Sequence, residues 1–287
     1  MRALLVGAKG MLGTAVRAAA PSSIQLVALS HAELAVEDDQ AVEQAVARER
    51  PAWIVNCAGY TQVDRAEAEP ENAQRVNAVG PANLSRAARA TGARLLHIST
   101  DYVFDGRGQR PYREDDPVGP LNVYGQSKLA GEQAVRDILP EAHLIVRTQW
   151  LFGMGGPNFV ATILHLASER PELKVVSDQH GRPTYTSDLA GALWTLITRG
   201  VRGTVHCANE GAATWFDLAG AAVAAAGLRT TVVPCVTLDM PRPAQRPRFS
   251  VLDCTKYASL LGAPLRHWTE SLHEYVAIES RRNAPTS

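Results

Sequence analysis

The start of the chain constrains the fold most, because an apolar run leads directly into closely spaced glycines. Ala3 to Val6 form the run, and glycines follow at positions 7, 10 and 13, before the helix-forming stretch 14–20. Such glycines allow a tight turn and close approach of phosphate groups, while the helix N-terminus supplies unpaired N–H groups and partial positive charge. The pattern favours a dinucleotide pyrophosphate site over a merely tight turn. Its predicted residues are Gly7, Gly10, Met11, Leu12 and Gly13.

Short apolar runs continue to alternate with stretches of helical periodicity through the first half of the chain. The runs are almost wholly apolar, which is typical of parallel strands covered by helices on both faces. Crossover helices are the usual connection between such strands, so the pattern predicts an α/β fold with a doubly wound parallel sheet of the Rossmann type. The runs are 24–29, 53–55, 95–98 and 144–146, and the clearest helical stretches are 39–49 and 72–90.

The alternation loosens after about residue 150, where glycine- and proline-containing breaks recur. We therefore predict a dinucleotide-binding domain over 1–150 and a smaller lobe, mainly substrate-binding, over 151–287. The short runs at 175–176 and 205–208 could return strands from the second half to the main sheet. The last residues, 281–287, are predicted to be a frayed polar tail.

Composition excludes several classes of protein. The 287 residues include 29 basic and 29 acidic side chains, so there is no net positive charge to attract nucleic acid or anionic lipid. The longest uncharged apolar stretch, 218–228, is too short for a membrane span of about 20 residues. The four cysteines form no CxxC pair, which fits reduced thiols in a cytoplasmic protein.

A tyrosine and a lysine mark a predicted reaction site. Tyr124 and Lys128 are four residues apart at the start of a predicted helix, and therefore share one face. Thr100 follows an apolar run, at the carboxyl end of a strand where α/β sheets bind ligands. A nearby ammonium favours the phenolate, so Lys128 is expected to lower the pKa of Tyr124, while the Thr100 hydroxyl could hold a substrate carbonyl. An exposed helix pair and a strand-end turn are the alternative interpretation of these three residues.

The end of the second predicted strand bears on cofactor preference. An NAD-specific site usually places an acid there to hold the adenine ribose, but this strand ends in Leu29, Ser30 and His31. Ser30 would not repel a 2′-phosphate. The sequence therefore favours NADPH, with NADH as the alternative.

Together with these residues, five further segments make the chain resemble the dTDP-4-dehydrorhamnose reductase family of extended short-chain dehydrogenases, over nearly its whole length. The segments are NCAGYTQVD (56–64), STDYVFDG (99–106), RTQWLFG (147–153), GRPT (181–184) and RPRFSVLD (246–253).

The resemblance implies a role for several of these positions. Catalysis would fall to Thr100, Tyr124 and Lys128, and the last two would also contact the cofactor. The other cofactor-binding residues implied are Ser30, Ala35, Val36, Ala58, Gly59, Tyr60 and Thr61. The substrate-binding residues implied are Thr100, Asp101, Tyr102, Trp150 and Arg248, with Arg246 a further candidate for the diphosphate.

The chain departs from the family pattern at three places. Ala35 stands where the family often has an acid near the adenine. Ala15 and Ser187 stand where some members have glutamates that bind magnesium at a dimer interface, so we predict no metal. Related dehydratases carry Thr-Asp-Glu where this chain has Thr100, Asp101 and Tyr102, which argues against elimination of water.

The resulting hypothesis is NADPH-dependent reduction of a dTDP-4-keto-6-deoxyhexose, most simply dTDP-4-dehydro-L-rhamnose to dTDP-L-rhamnose. Two alternatives stay open: a 4-ketoreductase for another nucleotide deoxysugar of an antibiotic pathway, and a non-catalytic dinucleotide-binding regulatory subunit. A nucleotide sugar is the expected partner, and a homodimer is compatible with the resemblance. Four other residues are predicted to serve packing: His97, Trp194, Trp215 and Trp268.

Overall fold

The computed structural model describes residues 1–283, and its main feature is a six-stranded sheet in which every neighbouring pair is parallel. The predicted doubly wound α/β architecture is therefore confirmed. From edge to edge the strands are β2 (Gln25–Leu29), β1 (Arg2–Val6), β3 (Trp53–Asn56), β4 (Arg94–Thr100), β5 (His143–Thr148) and β10 (Gly203–His206).

Helices cover both faces of this sheet and bury two apolar layers. One layer joins the sheet to α2 (Asp39–Glu49), α5 (Gly80–Thr91) and α6 (Val123–Ile138). The other joins it to α1 (Met11–Ala18), α8 (Thr186–Thr198) and α10 (Thr255–Leu261). Since both faces are covered, a strand can be buried along its whole length, as β3 is with all four residues buried.

A third apolar core belongs to the second half of the chain. It lies among α7 (Phe159–Glu169), α9 (Trp215–Ala225), α11 (Trp268–Asn283) and three two-stranded sheets. The sheets pair β7 (Glu172–Val176) with β12 (Thr231–Cys235), β8 (His180–Gly181) with β11 (Ala213–Thr214), and β6 (Leu151–Phe152) with β9 (Thr184–Tyr185).

Three predictions made from periodicity need correction. Two short runs were expected to return to the main sheet. The run at 205–208 does so through β10, whereas the run at 175–176 belongs to β7, which pairs with β12 instead. The helix expected over 72–90 is instead α4 (Pro70–Gln74), a π-helical turn (Arg75–Val79) and α5. The polar tail begins later than expected, because α11 continues to Asn283; its remaining residues, 284–287, lie outside the described part of the chain.

One further α-helix, α3 (Val63–Ala68), follows β3 along the chain. Among residues 1–283, no helix is both long enough and apolar enough to cross a bilayer.

Candidate active site

The glycine turn after β1 leaves no room for larger residues. Gly7 has φ of +75°, and a Cβ atom on it would lie 2.5 Å from the amide nitrogen of Ala58. A Cβ atom on Gly13 would collide with the carbonyl oxygen of Gly7. Gly10 caps α1 without a side-chain hydrogen bond, and the first turn carries no acid. The first N–H groups of α1 are thus available to an anionic ligand, which is the cradle that a dinucleotide pyrophosphate requires.

An acid that the sequence analysis missed lies at the end of β2. The side-chain oxygen Oε2 of Glu33 accepts hydrogen bonds from the amide (2.8 Å) and the hydroxyl (2.6 Å) of Ser30. These bonds lower the pKa of Glu33, which is exposed. The expectation that no acid stands near this strand end was wrong, because the chain turns back within three residues. The signal was the Ser-x-x-Glu spacing, which is typical of a capping box.

Side chains of the following helices hold the segment after β3 through hydrogen bonds. The side chain of Asn77, on the π-helical turn, accepts from the amide of Tyr60 (2.9 Å) and donates to its carbonyl (3.0 Å). The phenol of Tyr60 donates to Glu69 (2.9 Å), so the end of its side chain is directed to the start of α4. Ala58, Gly59 and Thr61 are at least partly accessible beside the glycine turn.

The remaining cofactor positions and one strand histidine are more deeply placed. Val36 is buried and its carbonyl accepts from Asn83, which leaves Ala35 as the more accessible of the predicted pair. His97 is fully buried and its Nδ1 lies 3.1 Å from the side-chain nitrogen of Asn56, which confirms a hydrogen-bonded core residue.

Thr100 and Tyr124 come together at the carboxyl end of β4. The hydroxyl of Thr100 donates to Oδ1 of Asp101 (3.0 Å) and accepts from the amide of Tyr102 (3.2 Å), and it lies close enough to the phenol of Tyr124 to influence its pKa. The rings of Tyr102 and Tyr124 meet edge to face at 5.5 Å. Oδ2 of Asp101 is buried without a partner, and burial raises the pKa of this carboxyl to about 7, although the nearby hydroxyls of Ser250 and Thr100 oppose the increase.

The expected effect of Lys128 on Tyr124 is not seen. Burial raises the pKa of Tyr124 to about 12, with a smaller opposing contribution from the neighbouring hydroxyl of Thr100. Burial also lowers the pKa of Lys128 to about 8, against the attraction of Glu132. Its ammonium group donates to the carbonyl of Ile98 (2.6 Å) and lies on the strand side of the helix. In the protein alone, desolvation therefore outweighs any attraction between ammonium and phenolate.

A buried ion pair lies one helical turn beyond Lys128. Glu132 accepts from both Nε (2.8 Å) and Nη2 (2.7 Å) of Arg147, and both side chains are almost completely inaccessible. Burial alone would raise the pKa of Glu132, but the hydrogen bonds and charge of Arg147 hold it at about 2. Sequence reasoning missed this pair, although Tyr124, Lys128 and Glu132 recur at a spacing of four on one face.

A cavity of about 1050 Å³ opens beside Tyr102 and is lined by residues of α3, α7, β7 and α9 and of the segment 236–248. Arg246 and Arg248 both line it, as the diphosphate prediction requires. Trp215 packs against the third apolar core as predicted, and it also lines the cavity, which the prediction missed. Trp194 and Trp268 are buried as predicted. The other lining residues include Asp64, Phe159, Thr162, Ile163, Lys174, Asp178, Gln179, Thr237, Met240, Arg242 and Gln245.

Trp150 does not line the cavity but lies behind Trp215, which does. Its ring stacks on that of Trp215 with centroids 3.7 Å apart and planes at 10°, and its φ of +48° is unusual for a bulky residue. A direct substrate contact of Trp150 stays a prediction, since Trp215 and not Trp150 lines the cavity. No group of three or more metal-ligating side chains occurs among residues 1–283.

Comparison with known proteins gives consistent matches. A family model described as the RmlD substrate binding domain matches residues 1–281. The dTDP-4-dehydrorhamnose reductase of Streptomyces griseus is 46% identical over 295 residues, covering 99% of this chain and 96% of that protein. A Streptomyces niveus protein named dTDP-4-keto-6-deoxy-D-glucose reductase is 42% identical, covering 94% and 95%. The solved dTDP-4-dehydrorhamnose reductase of Bacillus anthracis, in complex with NADP, has a TM-score of 0.93 and 37% identity, covering 97% and 99%.

Proposed function

Because the chain belongs to the RmlD substrate binding domain family of dTDP-4-dehydrorhamnose reductases, we propose that it reduces the 4-keto group of a dTDP-4-keto-6-deoxyhexose with NADPH. The substrate that we propose is dTDP-4-dehydro-L-rhamnose, and the product is dTDP-L-rhamnose. The observation that carries the proposal is the placement of Thr100 and Tyr124 next to each other at the carboxyl end of β4, beside a cavity lined by Arg246 and Arg248.

The glycine turn and the open first turn of α1 fit the pyrophosphate of NADPH, and Lys128 would hold the nicotinamide ribose. When bound, NADPH supplies the hydride for the carbonyl carbon. Thr100 donates a hydrogen bond to the carbonyl oxygen and holds it in place, and Tyr124 transfers its phenolic proton to that oxygen as negative charge develops there. With its pKa near 12, Tyr124 carries that proton at neutral pH.

Asp101 supplies a further exchangeable proton. Its carboxyl is hydrogen-bonded to Thr100 and titrates near neutral pH. Arg246 and Arg248 would bind the diphosphate, since guanidinium groups match phosphate oxygens in charge and geometry. Tyr102 and Trp215 would pack against the rest of the nucleotide sugar.

A second candidate substrate has its own support. The Streptomyces niveus relative carries the name dTDP-4-keto-6-deoxy-D-glucose reductase at nearly the same identity as the rhamnose enzymes. The same residues would reduce that ketone, because the two hexoses differ in configuration and not in the reacting group. The homodimer and the cytoplasmic location stay predictions.

The test is the loss of NADPH absorbance when the purified protein meets dTDP-4-dehydro-L-rhamnose, with the stereochemistry of the product assigned. Formation of dTDP-L-rhamnose is the expected result. Turnover only with the 4-keto-6-deoxyglucose nucleotide would favour the second candidate. NADPH binding without reduction of either sugar would overturn the proposal and favour a regulatory subunit.

Tyr124→Phe is the matched control for the chemistry. The variant keeps the ring and loses the proton donor, so it should bind NADPH normally and lose turnover by at least about 100-fold. Undiminished turnover would remove Tyr124 from the mechanism.

A further inference from the structure

One segment contributes the three arginines that line the cavity. Residues 240–248, here called the strap, include Arg242, Arg246 and Arg248, and connect the lobe back toward the first domain. The strap has no helix or strand of its own. Its position therefore depends on contacts with its surroundings.

Asn122 makes one of these contacts with both ends of its side-chain amide. Its oxygen accepts from the amide of Gly125 (2.8 Å) and caps α6, whose second residue is Tyr124. Its nitrogen donates to the carbonyl of Gln245 in the strap (2.8 Å), 123 residues away in sequence. Asn122 is 3% exposed, so both bonds are shielded from water.

At the far end of the strap, the carbonyl of Arg248 accepts from the amide of His180 (2.8 Å). Further contacts come from α3. Oδ1 of Asp64 accepts from the amide of Ala244 (3.3 Å) and pairs with Nη1 of Arg246 (3.0 Å), on either side of Gln245. Three residues further along α3, Glu67 accepts from the amide of Val123 (2.9 Å) at the start of α6. The strap and the N-terminal turn of α6 thus share their supports.

From these contacts we propose that Asn122 is a positioning residue, which holds the strap and its arginines at a fixed place relative to the helix turn that carries Tyr124. The inference rests on the proposed function, because it assumes that the strap binds the diphosphate of the substrate. It assigns to Asn122 no contact with substrate or cofactor.

The exchange Asn122→Asp separates the two bonds of the side chain. Aspartate caps helices as well as asparagine does, so α6 should keep its cap. The ionised carboxylate of the aspartate cannot donate a hydrogen bond to the carbonyl of Gln245. Its negative charge would also face that carbonyl oxygen, so the strap should lose this support. Asn122→Ser is the second variant, since serine also caps helices but is too short to hold the strap.

Binding of dTDP alone and of NADPH alone should be measured by calorimetry on the full-length wild type and both variants. We expect the variants to bind dTDP about tenfold more weakly, as for the loss of one shielded hydrogen bond, and NADPH with unchanged affinity. In turnover, KM for the nucleotide ketosugar should rise about tenfold while kcat stays within a factor of about three.

Asp38→Asn is the control, because it makes the reverse exchange at the N-cap of α2, where Asp38 accepts from Ala41. It should leave dTDP affinity unchanged. Equal dTDP affinity in wild type and both Asn122 variants would overturn the inference, as would an equal loss of NADPH affinity, which indicates general disruption. Failure of the wild type to bind dTDP would instead overturn the proposed function and, with it, the role of the strap.

Discussion

The ammonium group of Lys128 donates a 2.6 Å hydrogen bond to the carbonyl oxygen of Ile98, two residues before Thr100 on β4. This bond joins the helix that carries Tyr124 to the strand that carries Thr100. It also keeps a lysine buried, at 5% exposure, where burial lowers its pKa to about 8.

Lys128→Met should therefore lower the enzymatic activity without lowering the stability of the fold. The methionine side chain cannot make the proposed contact with the cofactor ribose, and turnover should fall by at least about 100-fold. At pH 7 the free energy of unfolding should be equal to or greater than that of the wild type, because a buried charge is removed. Steady-state kinetics and urea unfolding check the two parts, and a variant that is both active and less stable would contradict them.

The same variant gives a pH test. Folded Lys128 releases its proton near pH 8, whereas the unfolded side chain keeps it until about pH 10.5. Between these values the unfolded state binds more protons, so the stability of the wild type should rise with pH relative to Lys128→Met, by at most about 1.4 kcal/mol per pH unit. Urea unfolding at pH 7 and pH 10 measures this difference, and a constant difference would refute the assignment.

Thr100→Val should remove the hydroxyl with little change of shape. The amide of Tyr102 would lose its acceptor, and the carboxyl of Asp101 would lose a hydrogen-bond donor. Because the hydroxyl is expected to stabilise charge on the carbonyl oxygen, kcat should fall by about 100-fold with NADPH affinity unchanged. Thr100→Ser keeps the hydroxyl and should recover most of the rate; if it does not, the methyl group rather than the hydroxyl is what matters.

Glu132→Gln should destabilise the protein strongly at neutral pH. It leaves the buried guanidinium of Arg147 without its carboxylate, at a cost of about 3–5 kcal/mol. The folded pKa of about 2 lies below the unfolded value of 4.5, so the wild-type contribution is complete above pH 4.5 and is lost as the pH falls toward 2. Denaturant unfolding from pH 7 to pH 3 should show this loss in the wild type and a flatter profile in the variant.

Glu33→Ala should shift cofactor selectivity toward NADPH. The change frees the amide and hydroxyl of Ser30 and removes a negative charge from the predicted site of the 2′-phosphate. The ratio of kcat/KM for NADPH over NADH should rise several-fold. Glu37→Ala is the nearby control, and an unchanged ratio would place the adenine ribose away from Glu33.

Much of the candidate site follows from local sequence. The apolar run before Gly7 specifies β1 and its turn, because the steric demands of that turn exclude other residues. The spacing of Tyr124 and Lys128 places them on one helix face, because 3.6 residues complete a turn. Thr100 follows an apolar strand, and the carboxyl ends of parallel strands meet at one edge of a sheet.

Contacts between distant segments depend on how the elements pack, which periodicity does not encode. Trp215, at the start of α9, stacks on Trp150, which precedes β6, and so a residue assigned only to packing also lines the cavity. Burial likewise decides the charge state at the site, since it raises the pKa of Tyr124 where sequence spacing alone predicted a decrease.

The sequence by itself thus determined the parallel α/β fold, the glycine turn and the Tyr124–Lys128 face, because each depends on residues that are neighbours along the chain. The tertiary structure decided the cavity, the Glu132–Arg147 pair and the bond from Asn122 to the strap. The last two join residues that are 15 and 123 positions apart, respectively. Only the packing of helices and strands brings such residues within hydrogen-bonding distance and removes the water around them.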